Sequence, residues 1–187
     1  VSGNLEQPHS RKLSVQTSDQ HFFALFTERM LRSGIGANHF GYGICPPDAR
    51  PIATVERSIG EVVHEALKES DNLNAEAMLF HLAATSGKPY AKASDGVIRI
   101  DSLLASIHHT YGEKGTRVPP HKIVDGSGLS GYNMVSARLM LNVLRYAHSQ
   151  SHIYDMLTDA LPHSGTDGTL KNRMSGKTMR GRIMAKT

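Results

Sequence analysis

Ser70-Asp71-Asn72 places a hydroxyl, a carboxylate and a carboxamide on consecutive residues between two apolar helical patterns. Val62, Val63, Ala66 and Leu67 recur at helical spacing before it, and Leu73, Ala77, Met78 and Leu82 after it, so two helices are predicted to meet at this polar corner. Side chains of these types hydrogen-bond nearby backbone and cap the following helix, here through Asn72 or Asn74. Two readings stand side by side. In one the corner is a capped helix connection and nothing more. In the other the Ser70 hydroxyl and the Asn72 carboxamide project together into a cleft. Ser-x-Asn alone is a loose pattern, since Ser2-Gly3-Asn4 matches it in the same chain. A second polar stretch, Asp125-Gly-Ser-Gly-Leu-Ser130, carries two glycines that permit a tight backbone.

Other tempting chemistry fails on spacing. Gly176-Lys177-Thr178 resembles the end of a phosphate-binding loop, but the glycine required five residues before Gly176 is Lys171. Gly128-Leu-Ser130-Gly131 approaches a nucleophile elbow, yet its closing glycine would have to be Tyr132. The 11 histidines contain no His-Glu-x-x-His or equivalent spacing. His108 and His109 are adjacent, and adjacent residues of a helix face different directions, so they are expected to be solvated or capping rather than metal ligands.

Length and composition narrow the class further. The chain has 187 residues and 39% hydrophobic content, enough for one domain with a core, and its apolar runs are too short for a membrane helix. It does not begin with Met and ends on Lys186-Thr187, which suggests a piece of a longer protein. The net charge of +4 is concentrated late, where Lys171, Arg173, Lys177, Arg180, Arg182 and Lys186 occur without an intervening acid. That segment reads as a solvated basic face or an anion-binding wall. Nucleic acid is disfavoured, because the segment has no aromatic residue to stack on bases. Cys45 is the single cysteine, so the chain has no internal disulfide.

The elements that must position these residues are mainly helical. Val1 to Ser10 reads as a linker or the tail of a preceding element, and Lys12 to Thr17 alternates like a strand. Ser18 or Asp19 should cap a helix whose Phe22, Phe23, Leu25, Phe26, Met30 and Leu31 form a core stripe ending at Ser33-Gly34. Gly41 to Pro47 is loop and Pro51 to Val55 extended. Further helices are predicted from near Ser58 to the polar corner, from Asn74 to about Ala84, and from Val97 to Tyr111. Lys122 to Val124 reads as a short strand, Ser136 caps a helix bearing Leu139, Leu141, Val143 and Leu144, and a last helix runs from His152 to Leu161. Residues 163 to 181 are loop, and Arg182 to Ala185 begins a strand.

Taken together, Leu67 to Asn72 with Ala75-Glu76, Asp125 to Ser136 with Asn133, Gly168-Thr-Leu170 and Ala185-Lys-Thr187 resemble, in this order, the peptidase S13 family. These are the D-alanyl-D-alanine carboxypeptidases and endopeptidases similar to penicillin-binding protein 4, which share Ser-x-x-Lys, Ser-x-Asn and Lys-Thr-Gly motifs. The resemblance runs from about Lys12 to the end. Two parts of the pattern are missing: no Ser-x-x-Lys occurs in these residues, and no glycine follows Thr187. The resemblance implies an α+β fold, the helical subdomain and part of the sheet of a penicillin-binding-protein/β-lactamase-like transpeptidase domain, mostly helical in this piece. Residues 1–11 would be the tail of an inserted domain or a linker, and 12–187 a partial catalytic domain.

The same resemblance implies a function and roles. A serine-type enzyme would hydrolyse peptidoglycan stem peptides ending in D-Ala-D-Ala through an acyl-enzyme, bind β-lactam antibiotics and need no cofactor or metal. Ser70 would relay a proton to the departing D-Ala nitrogen. Asn72 would hydrogen-bond the peptide backbone and the lysine of the missing pair. Lys186 would bind the substrate carboxylate with Thr187 as second donor. Asp125 and Ser127 are read as shaping their loop, since the glycines beside them point to tight backbone rather than proton transfer. The parent would be exported to the periplasm or cell envelope, and this piece alone would be inactive. The alternatives are a non-catalytic peptidoglycan-binding module of the same fold, a related penicillin-hydrolysing enzyme, and an unrelated helical interaction domain in which Lys186-Thr187 lies far from Ser70.

Overall fold

The computed structural model describes residues 15–36 and 41–187. They divide into two units, the first ending at Thr54 and the second spanning Val55–Thr187. The expected linker before residue 11 lies outside the described residues, as does the first half of the strand expected at Lys12 to Thr17. Its described half, Val15 to Thr17, is not a strand.

Among the described residues the first unit holds one helix, α1 (Ser18–Arg32). Thr17 precedes it without a side-chain cap, so neither Ser18 nor Asp19 takes the capping position; Asp19 instead accepts a hydrogen bond from the Tyr42 hydroxyl. The aromatic stripe is present, with Phe22 and Phe26 stacked at 5.8 Å and Phe23 edge-on to Tyr42 at 5.8 Å. It is not core: no residue of α1 is buried, and Phe22 and Leu31 are each 60% exposed. Burial of such a stripe requires a second layer packed on it, and among the described residues of this unit no other helix or strand supplies one.

The second unit is a ring of five helices: α2 (Ile59–Lys68), α3 (Asn72–Ala84), α4 (Ala93–Tyr111), α5 (Ala137–Ser149) and α6 (Ser151–Ala160). Each packs on the next in chain order, and α6 returns to α2. Their starts follow local chemistry. Ser58 accepts from Glu61 N–H at 3.2 Å while Glu61 accepts from Ser58 N–H at 2.7 Å, a reciprocal cap for α2. Ser136 accepts from Leu139 N–H at 3.2 Å to start α5, as its position predicted. α4 begins four residues earlier than its apolar pattern suggested, because the Asp95 carboxylate reaches back to Lys92 N–H at 2.8 Å. The core is formed by Ala66, Leu79, Ala83, Leu104, Ile107, Leu139, Ala147 and Ala160, one or two from each helix, with Leu170 from the segment after α6. An apolar pocket of about 300 Å³ is lined by side chains of α2, α4, α5 and α6, among them Val63, Ile107, Val143 and Leu157.

No strand occurs among the described residues. The Lys122 to Val124 and Arg182 to Ala185 segments, read as strands, make only isolated antiparallel bridges, Lys122 with Met134 and Met184 with His163. Each has a single short neighbour to pair with, which is too little backbone for a ladder. His108 also departs from expectation. It is 5% exposed rather than solvated, with Nδ1 accepting from the Asn142 amide at 3.3 Å and Nε2 facing the Thr116 carbonyl at 3.3 Å.

Candidate active site

The polar corner between α2 and α3 is built by a change of backbone hand. α2 ends at Lys68, Glu69 caps it, and Ser70 takes φ +56° before Asp71 starts α3. A left-handed serine is uncommon, because its Cβ crowds the following carbonyl. Asp71 caps α3, accepting from Asn74 N–H at 2.8 Å, so the cap is neither Asn72 nor Asn74. Asn72 is the first residue of α3 and is exposed, two residues beyond Ser70.

The distant residues Lys186 and Thr187 come to this corner. Lys186 Nζ donates to Ser70 Oγ at 2.6 Å across 116 positions of sequence, and also to the Thr187 carbonyl. The Thr187 hydroxyl donates to Thr169 Oγ1 at 2.6 Å. The segment reaching Lys186 is held by backbone pairing: Gly181 N–H to Ser164 O at 2.7 Å, Ser164 N–H to Ile183 O at 2.9 Å, and Ala185 N–H to Pro162 O at 3.2 Å. Ser164 is fully buried and its hydroxyl donates to Met179 O at 2.5 Å while accepting from Ile183 N–H at 3.2 Å. A hydroxyl against an ammonium in this way can pass a proton, and the exposed ammonium can bind a carboxylate.

The Asp125 to Ser130 loop is folded around one carboxylate. Asp125 accepts from Gly128 N–H at 2.7 Å, Ser130 N–H at 2.7 Å and the Asn133 amide at 2.8 Å. These bonds, the Asn133 side chain first, hold its carboxyl below the usual carboxylate range. The loop docks on α3, where Glu76 accepts from Ser127 N–H at 3.0 Å and Gly126 lies so close that a Cβ would come 2.5 Å from the Ala75 carbonyl. Asp125 thus has the shaping role expected of it; the Ser127 hydroxyl faces only Leu129 N–H, at 3.5 Å, and it is the Ser127 backbone that anchors the loop.

Lys68 has a place the sequence reading missed. Its ammonium is buried and donates to Leu161 O at 2.7 Å and Asp167 Oδ2 at 3.3 Å. Asp167 accepts from His163 N–H at 2.8 Å, and that bond, followed by Lys68, lowers its pKa. A lysine ending an apolar helical pattern carries no mark of burial; only its place beside Ser70 in a family signature set it apart. The six basic residues from Lys171 to Lys186 are all exposed. No group of histidine, cysteine, aspartate and glutamate side chains suited to a metal occurs among the described residues.

The fold matches that of a solved penicillin-binding protein. Penicillin-binding protein 4 from Haemophilus influenzae, in complex with a β-lactam, superposes with a TM-score of 0.72 at 24% identity, covering 94% of this chain and 40% of that one. A second crystal structure of the same protein gives a TM-score of 0.70. The chain belongs to the D-Ala-D-Ala carboxypeptidase 3 (S13) family, whose model matches residues 1–187. Among curated relatives, the D-alanyl-D-alanine carboxypeptidase DacB of Haemophilus influenzae is 26% identical over 89% of this chain and 34% of its own length. The carboxypeptidase DacB of Mycolicibacterium smegmatis is 29% identical over 88% of this chain and 36% of its own. The chain therefore spans about a third of the length of the curated relatives it matches.

Proposed function

We propose that this chain supplies part of the active site of an exported, serine-type D-Ala-D-Ala carboxypeptidase or endopeptidase that acts on peptidoglycan through an acyl-enzyme. The observation that carries the reading is the 2.6 Å bond between Lys186 Nζ and Ser70 Oγ. An unrelated helical domain gives those residues no reason to meet. In this reading Ser70 relays the proton to the departing D-Ala nitrogen, and Lys186 with Thr187 binds the terminal carboxylate of the stem peptide. Asn72, beside Ser70 and exposed, faces the peptide backbone. The acylated serine and its lysine partner are assigned to residues outside these 187, which hold no Ser-x-x-Lys. The same gap favours a second reading, a peptidoglycan-binding module that kept the cleft without the chemistry.

Labelling with a fluorescent penicillin separates the two. The full-length protein carrying this segment should be labelled covalently and the 187-residue chain should not. Ser70→Ala and Lys186→Met in the full-length protein should slow acylation by about a hundredfold, the scale of one lost proton-transfer or charge-stabilising group. An unlabelled full-length protein supports the binding module instead. Turnover of a D-Ala-D-Ala peptide by the 187-residue chain would contradict both readings.

A further inference from the structure

We propose that Lys68 is a positioning residue that sets the distance between Ser70 and Lys186. The inference rests on the reading of Ser70 and Lys186 as site residues. Lys68 stands two positions before Ser70, at the last turn of α2, and its side chain is 9% exposed. A buried ammonium is costly to keep unless every contact is compensated. Here it is held by the carbonyl of Leu161, the C-cap residue of α6, and by the Asp167 carboxylate. Both partners lie in the corner that carries the other half of the site. Pro162, next to Leu161, accepts from the backbone of Ala185, next to Lys186. Gly168, next to Asp167, takes φ +48° and lies against Lys68, where a Cβ would sit 2.4 Å from the Lys68 carbonyl. Thr169 then accepts the hydroxyl of Thr187.

Lys68 therefore grips, from the helix that delivers Ser70, the turn onto which the Lys186 segment is paired. The bond between Ser70 and Lys186 is itself exposed, and an exposed pair of flexible side chains does not hold two segments in place. A buried ammonium bonded to a fixed backbone carbonyl does.

The test reads this distance without relying on activity. In the full chain with Cys45→Ser, Ser70→Cys puts a thiol where the hydroxyl meets the ammonium. Its alkylation by iodoacetamide is followed against pH. The neighbouring ammonium should bring the midpoint at least about one pH unit below that of an unperturbed thiol. Adding Lys68→Met should raise the midpoint by about one unit, a tenfold loss of thiolate near pH 7. Lys68→Arg, which keeps the cation, should restore most of the shift. A folded Lys68→Met protein with an unchanged midpoint overturns the positioning role and leaves the site reading intact. A midpoint that is normal even with Lys68 present overturns the Ser70 and Lys186 pairing, and the proposal with it. Should Lys68→Met fail to fold, Asp167→Asn removes one of the two partners, and its midpoint must rise for the proposal to stand. Penicillin labelling of the full-length protein separately reports the acyl-enzyme reading.

Discussion

Ser70 holds its hydroxyl against Lys186 from a backbone at φ +56°, a conformation that costs a side-chain-bearing residue about 1 kcal/mol. Strain of this kind persists where surrounding structure imposes it, here the capped end of α2 and the Asp71 cap of α3. The two contributions can be pulled apart. Ser70→Gly should unfold in urea at a free energy about 1 kcal/mol above Ser70→Ala, since glycine occupies this region freely. Both variants lose the hydroxyl, so both should show the same slowed acylation in the full-length protein. Equal stability of the two would mean that the backbone relaxes elsewhere and that Ser70 is not strained.

The α3 helix is the element on which two parts of the site are built. Its first turn follows Ser70, and its half-buried Ala75 and Glu76 receive the Asp125 to Ser130 loop through the Glu76 carboxylate and the close approach of Gly126 to Ala75. A methyl group at Gly126 would meet the Ala75 carbonyl at 2.5 Å and Leu79 Cβ at 3.1 Å, and neither is the free end of a flexible side chain. Gly126→Ala should therefore lift the loop from α3 and lower stability by about 1–3 kcal/mol, the usual cost of overpacking. Amide exchange would show the loss first at Ser127, whose N–H is bonded to Glu76. Unchanged protection at Ser127 would mean that the loop is held by Asp125 alone.

At the scale of the whole chain, carboxylates tie the second unit together, and acid should release them together. Asp125 is lowered chiefly by Asn133, Asp167 by the His163 backbone and then Lys68, and Asp95 by Lys88 and then the Lys92 backbone. Each is more acidic when folded, so each contributes stability that is fully present above the ordinary carboxylate pKa of about 3.9 and is lost as pH falls through its lowered value. Urea unfolding should thus weaken steeply below about pH 4, and Asp125→Asn, Asp167→Asn and Asp95→Asn should each flatten that decline. A chain as stable at pH 2.5 as at pH 6 would show that these bonds are broken in solution.

Local chemistry carried much of this structure. Periodicity placed the helices to within a few residues, and Ser136 marked the start of α5, because such signals act within one or two turns. The family signature marked Ser70, Asn72, Lys186 and Thr187 before any fold was known. Interactions between distant segments were invisible. The aromatic stripe of α1 has the pattern of a core face and yet stays exposed, since burial depends on a neighbouring layer that no local pattern encodes. The Lys122 and Arg182 segments have strand-like composition but form single bridges, since a strand exists only where another backbone meets its hydrogen bonds. Lys68 is an ordinary helix-ending lysine in sequence; its burial, and its grip on residues 93 and 99 positions away, arise only when α6 and the turn after it fold over the end of α2. What the residues do one by one was written locally, whereas which of them meet was decided by the packing of the ring.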